Sequence, residues 1–403
     1  MSNNDPGTRL HALDAVRAIA LMLGIALHSA LSYMPGIDPQ LWPLKDGQQS
    51  LSMSLGVFLI HIFRMSVFFL VAGLFAHMLF HRRGAVAFLR NRAARILVPL
   101  VLGWVVCFLC IAGVVVWSLV RANGGQWPAS PPASGKLSFL HLWFLYILCW
   151  LYPGVLMLRR LVHAVDRNNV STRVADRILR HLSAAPFRSL LLAAPISLAL
   201  FLEPGWVWWF GVPTPGYTWM PPAVPLFIYG YVFGLGWLLD RQHALLDQLA
   251  RRWWLRAWTG AVAAGLCLAM AGLEASYSTV RDPAIKLAYA IAYGIALVSW
   301  TLAFIGCGVR FLGRSTPLLR YLSDASYWMY VAHLPVVMAL QAWMMPFPWP
   351  GLVKFATVTL VTCASLLLIY GRWVRPSWVG LLLNGRKYPR AAEPAVAVSG
   401  SDG

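Results

Sequence analysis

The sequence predicts an all-α polytopic membrane protein of about ten transmembrane helices, with both termini in the cytoplasm. Three observations predict it. Only 12% of the 403 residues are charged and 59% are hydrophobic, against about 25% charged in soluble domains. Apolar runs of spanning length recur along the whole chain. The Lys and Arg residues are spread over alternating connecting segments, with no separate basic domain. The net charge of +19 therefore reads as positive-inside topology, and no nucleic-acid partner is expected.

The runs lie at 13–33, 53–79, 97–120, 139–158, 188–203, 221–239, 257–275, 285–308, 326–345 and 352–371, of which 188–203 is the weakest. With the N-terminus inside, 26 of the 33 Lys and Arg fall on cytoplasmic segments, most densely at 82–95 and 159–188. Six fall outside, and Arg64 stands within the second run. Asp14 and Arg17 open the first run and no small-residue cleavage site follows, so the first helix is expected to be retained. The chain divides into a cytoplasmic leader (1–12), a membrane domain (13–375) and a cytoplasmic tail (376–403) that is Ala-, Pro-, Ser- and Gly-rich after Arg390 and expected to be disordered there. All six cysteines lie in apolar runs, which argues against a disulfide framework. Cys107 and Cys110 read as small buried or lipid-facing residues. No internal repeat is evident, and no soluble catalytic domain is attached, so the chemistry must reside in the helices and short loops.

Ionisable side chains inside apolar runs are costly and mark working sites. Arg17 and His28 are eleven residues apart on the first run, within ~20° of one face and ~16 Å apart along the axis. His61 and Arg64 share a face of the second. Arg64 requires an anionic or carbonyl partner, because a guanidinium in hydrocarbon costs roughly 3 kcal/mol or more. Backbone carbonyls would serve it structurally; an acyl carbonyl, an oxyanion or a substrate carboxylate would serve it functionally. His141 and His333, the latter following Tyr330 on the ninth run, add two imidazoles. None of His28, His61, His141 and His333 itself stands in a His-x-x-x-His or Glu-x-x-His spacing or beside paired cysteines, so no metal is expected. Arg92 and Arg95 stand one turn apart before the third run, either as a topological anchor or as a phosphate fork. Trp206, Trp208, Trp209, Phe210, Tyr217 and Trp219 crowd one outer loop, either as an interfacial aromatic belt or as a surface for sugar rings.

This pattern resembles the acyltransferase-3 family of polytopic bacterial membrane enzymes. Arg17 and His28 with ten residues between them fit the family's first-helix motif, and Arg92-Ala-Ala-Arg95 fits its Arg-x-x-Arg motif. Leu13-Asp14-Ala-Val-Arg17, His61-Ile-Phe-Arg64, His141-Leu-Trp-Phe-Leu and Tyr330-Val-Ala-His333-Leu-Pro are similar to the subgroup that succinylates osmoregulated periplasmic glucans. The similarity runs from about Leu13 to Arg375; a departure is Leu334, where a second histidine can follow the first.

The resemblance implies an acyltransferase bundle in the bacterial inner membrane. Its donor would be cytoplasmic acyl-coenzyme A, with succinyl the first choice, and its acceptor a hydroxyl of periplasmic glucan. Acetyl transfer to another envelope glycan is the neighbouring alternative. His28 would be the catalytic imidazole and Arg17, Arg92 and Arg95 would lie near the donor, with no bound cofactor. The residues themselves agree with such chemistry. Neutral imidazole suits removal of a hydroxyl proton, and Arg64 or His61 could stabilise the oxyanion of thioester attack. Asp14, His141, Tyr330 and His333 are the remaining site candidates. A proton-coupled transporter using His28, His61 and His333 as a relay is the reading of a different class; it would call for midplane carboxylates and repeated halves.

Overall fold

The computed structural model describes residues 6–127, 139–183, 185–216, 218, 220–314, 316–385 and 388. The tail after Arg390, the first five residues and most of the 121–138 loop lie outside the described residues. The helices are α1 (Pro6–Ala30), α2 (Leu51–Arg92), α3 (Val98–Ala122), α4 (Trp143–Val165), α5 (Val170–Ser183), α6 (Pro186–Ser189), α7 (Ala194–Leu202), α8 (Ala223–Leu239), α9 (His243–Arg251), α10 (Trp253–Ala271), α11 (Pro283–Phe311), α12 (Pro317–Met344), α13 (Gly351–Ile369) and α14 (Trp378–Asn384). No strand is present among the described residues; Val207 and Thr279 form an isolated bridge.

Every apolar run read from the sequence contains helix, but among the described residues length and composition qualify six stretches as spans, or seven if the bent pair Ala223–Leu239 and Ala244–Arg251 counts as one. The difference has identifiable causes. One stretch, Leu51–Ala122, is 72 residues long, about 108 Å of helix against a hydrocarbon core of about 30 Å. It contains two legs, α2 and α3, joined through a helical break at Gly84, whose φ is 74°, and a π-helical turn at Ala93–Leu97. The legs run in opposite directions. Arg17 lies near Phe75 and Gly24 near Arg64, so α1 and α2 are antiparallel. Arg17 reaches Ser323 and His28 reaches His333, so α1 and α12 are parallel. Tyr327 binds the Arg95 carbonyl and Val331 meets Cys107, so α12 and α3 are parallel as well. By contrast, the 188–203 run is broken: α6, a 3-10 turn at Leu190–Ala193 and the nine-residue α7 follow one another. Arg320, Asp324, His333 and Gln341 lower the hydropathy of α12.

Close approach and buried polar bonds hold the bundle together. A Cβ at Gly73 would meet the Phe233 carbonyl and one at Gly236 the Leu70 carbonyl. These two glycines thus set the spacing of the parallel pair α2 and α8. His77 Nδ1 and Asp240 Oδ2, 2.7 Å apart, close the end of that pair. At the opposite end, the loop after α1 is fastened by Asp46, whose backbone N–H donates to the Ser32 carbonyl at 3.0 Å. Its carboxylate accepts from Lys354 Nζ of α13 at 2.7 Å. Both members of this ion pair are at most 2% exposed. Lys354→Met should leave the Asp46 carboxylate buried and unpaired, lowering stability by about 3–5 kcal/mol. Combining it with Asp46→Asn should recover most of the loss. Thermal unfolding of both variants in detergent checks this; a double variant no more stable than the single one would show that the pair does not act as a unit.

Candidate active site

The site forms where α1, α2, α12 and the 3-10 turn Leu140–Leu142 meet. α1 and α12 bring the two central imidazoles together: His28 Nδ1 and His333 Nε2 are 2.8 Å apart. On its other side His333 Nδ1 lies 2.8 Å from the Tyr330 carbonyl and 3.1 Å from that of Met329. Carbonyls only accept, so the Nδ1 of His333 carries a hydrogen and, in the neutral ring, its Nε2 is an acceptor. His28 therefore donates through Nδ1, and the Nε2 of neutral His28 is left as a bare lone pair. That is the form a general base requires.

His141 belongs to the same cluster. Its Nε2 donates to the Val331 carbonyl at 3.1 Å, while its buried Nδ1 has no hydrogen-bond partner among the described residues. Its ring centroid is 4.7 Å from that of His333 and 6.4 Å from that of His28. The Tyr330 hydroxyl donates to the His141 carbonyl at 2.8 Å, tying this turn to α12. Leu140 reaches this turn only by adopting a left-handed φ of 52°, at a cost of about 1–2 kcal/mol for a residue with a Cβ. Trp42, from the loop after α1, stacks on His28 with centroids 6.1 Å apart and donates from Nε1 to Ser32 Oγ at 2.9 Å.

Arg64 completes the site. A Cβ at Gly24 would collide with its guanidinium, so the absence of a side chain on α1 makes the space for it. No carboxylate pairs with Arg64 among the described residues, and its buried Nε has no hydrogen-bond partner there. Arg64, His28, His141, Tyr330 and His333 line one cavity, with Met65, Phe68 and Trp143 among its apolar walls. The cavity holds about 20 Å³, space for a single water-sized molecule. Among the described residues no group of three or more His, Cys, Asp or Glu side chains is placed to hold a metal.

The other sequence-derived candidates lie elsewhere. His61 is one turn from Arg64 but does not line the cavity; its buried Nδ1 is unpartnered. Arg17 is paired with Asp14 at 3.2 Å and reaches the Ser323 carbonyl at 3.4 Å. Arg95 donates to the Asn384 carbonyl at the end of α14 at 2.9 Å, a favourable place for a cation. Arg92 lies over the rings of Phe88 and Tyr152, with its Nε unpartnered. Trp206 and Trp209 are buried and donate to the Gly211 and Gly272 carbonyls; Trp206 packs on Tyr289 and Tyr293 of α11 and Trp209 on Phe58 of α2. Tyr217 and Trp219 lie outside the described residues. Sequence reasoning missed Gly24, Trp42 and Gln341, whose amide donates to the His28 and Ser29 carbonyls at 3.0 Å. A lone Gln in an apolar run was the available signal for the last.

In nitrogen NMR spectra of histidine-labelled protein, neutral His333 should carry its hydrogen on Nδ1 and neutral His28 should carry none on Nε2. Finding the His28 hydrogen on Nε2 would remove the base from the site.

Three comparisons with known proteins bear on this geometry. The family model for an acyltransferase domain, acyltransferase-3, matches residues 10–371. Glucans biosynthesis protein C from Escherichia coli O139:H28 is 22% identical over 400 residues, covering 95% of this chain and 96% of the relative. The protein of that name from Escherichia coli K12 shows the same identity and coverage. No solved structure matches the chain.

Proposed function

The chain belongs to the acyltransferase-3 family, and from that premise we propose that it transfers a succinyl group from cytoplasmic acyl-coenzyme A to a hydroxyl of periplasmic glucan. It is a multi-pass membrane acyltransferase. The observation that carries the mechanistic reading is the bare Nε2 of His28 in one cavity with the unpaired guanidinium of Arg64. The glucan as acceptor rests on the name of the relatives.

In the proposed reaction His28 Nε2 takes the hydroxyl proton as the sugar oxygen bonds to the thioester carbonyl carbon. Negative charge then develops on the carbonyl oxygen, and the Arg64 guanidinium stabilises it. Collapse of this intermediate breaks the carbon–sulfur bond; the departing thiolate recovers the proton from His28, leaving an ester and free coenzyme A. His333 is a positioning residue: anchored on the Tyr330 and Met329 carbonyls, it holds the His28 tautomer that presents Nε2. A succinyl group carries its own carboxylate, which offers Arg64 a second anionic partner. The cavity must widen to admit either substrate, because its present volume of about 20 Å³ is smaller than an acyl group.

Ten crossings of the inner membrane, with both termini in the cytoplasm, fit this reaction. Support comes from the opposite directions of α2 and α3, the parallel course of α1 and α12, and the basic segments. This orientation puts Arg17, Arg92 and Arg95 on the donor side. Arg92 is the strongest candidate for a coenzyme A phosphate, because Arg95 and Arg17 already have a carbonyl and a carboxylate.

Mass spectrometry of periplasmic glucans from cells expressing each variant tests the chemistry. His28→Gln keeps a polar group but takes no proton, so glucan acylation should fall by about 10²–10⁴ at equal expression. Arg64→Met should cost about 10²–10³. Wild-type acylation by His28→Gln would exclude proton abstraction by this residue, and a group of a different mass would reassign the donor. Replacing Arg92 and Arg95 together by Ala should raise the KM for acyl-coenzyme A more than it lowers kcat, since phosphate contacts remote from the thioester change little on reaching the transition state. An unchanged KM would make the motif a topological anchor.

A further inference from the structure

A second cavity, of about 540 Å³, opens between α5, α6 and the start of α9, and shares no lining residue with the His28 site. Four arginines line it: Arg177 and Arg180 of α5, Arg188 of α6 and Arg241 just before α9. Asp176 compensates Arg241, accepting from its Nε and from Nη2 at 2.9–3.2 Å. Arg177, Arg180 and Arg188 have no carboxylate partner among the described residues. Topology accounts for positive charge on this side of the protein. It does not account for three uncompensated guanidiniums converging on one cavity, where they repel each other.

The backbone adds to the same field. Ala244 and Leu245, in the first turn of α9, line the cavity, and α9 has no side-chain cap. Its preceding residue, Gln242, donates to Asp176 instead, at 3.0 Å to the carbonyl. The Leu245 N–H is taken by the Gln242 carbonyl at 2.9 Å, which leaves the turn at Ala244 and the positive end of the helix dipole facing the cavity. A separate observation concerns the outer surface of α5. Val170, Val174 and Ile178 recur every fourth residue and are exposed, and Phe187 is 78% exposed. A helix with an apolar row beside a basic one lies in the plane of a membrane interface.

We propose that this cavity binds the phosphate ester of an anionic phospholipid headgroup from the cytoplasmic leaflet, while the apolar row of α5 rests in the acyl region. The arginines and the positive end of α9 suit any phosphate ester; the exposed apolar row favours one carried by a lipid.

The test uses the full-length protein in neutral detergent, titrated separately with fluorescent phosphatidylglycerol and phosphatidylcholine. Wild type should bind phosphatidylglycerol about tenfold or more tightly than phosphatidylcholine. Replacing Arg177, Arg180 and Arg188 together by Gln should abolish that preference, whereas Arg173→Gln, on the same helix outside the cavity, should retain it. Should the triple variant fail to fold, Arg180→Gln alone carries the comparison, with an expected loss of about threefold or more. Equal binding of the two lipids, an unaffected triple or Arg180 variant, or the same loss in Arg173→Gln overturns the proposal. Displacement of the lipid by millimolar inorganic phosphate or coenzyme A also overturns it, since the site would then belong to a soluble phosphate.

Discussion

Parallel packing of α1 against α12 is the constraint from which the rest of the site follows. Four polar bonds run along this pair: Arg17 to the Ser323 carbonyl, His28 to His333, and Gln341 to both the His28 and the Ser29 carbonyls. The bonds of His28 and Gln341 lie in the low-dielectric interior, where they are costly to break because the partners find no water there. Together they fix register as well as proximity. A shift by one residue would rotate α12 by about 100° and take His333 away from His28. The same register sets Tyr330 against the His141 carbonyl and Val331 against the His141 ring. The imidazole cluster is thus a consequence of a single helix pair.

Two buried cations show how differently the interior treats charge. Lys354 has Asp46 at 2.7 Å, and the pair fastens a loop. Arg64 is accommodated by a missing side chain at Gly24 and faces a cavity in which no carboxylate is paired with it among the described residues. A compensated charge contributes a structural tie at modest net energy. An uncompensated one is sustained by the rest of the fold and is suited to negative charge that appears only during a reaction. Geometry therefore separates two residues that composition alone would treat alike.

Several functional elements were legible in the chain because they depend on local spacing. Arg17 and His28 share a face through helical periodicity; so do His61 and Arg64. The positions of the apolar runs follow from hydropathy, and each contains helix. Pairing across helices was not legible. Nothing in the local sequence says that Arg95 ends on the α14 carbonyl of Asn384, that Trp206 and Trp209 turn inward, or that His61 lies off the cavity while His141 lines it. Nor does hydropathy separate the two legs of Leu51–Ala122, since helix direction is a property of packing.

By itself the sequence determined the all-helical membrane class, the family, and which ionisable residues enter the apolar interior, because each rests on residue type or short-range period. The tertiary structure alone decided the tautomer of His28 and the isolation of Arg64. It also decided the convergence of Arg177, Arg180 and Arg188. A hydrogen-bond acceptor, an absent counter-charge and a shared cavity are relations between segments far apart in the chain. Local periodicity carries no information about which distant segment will be the neighbour.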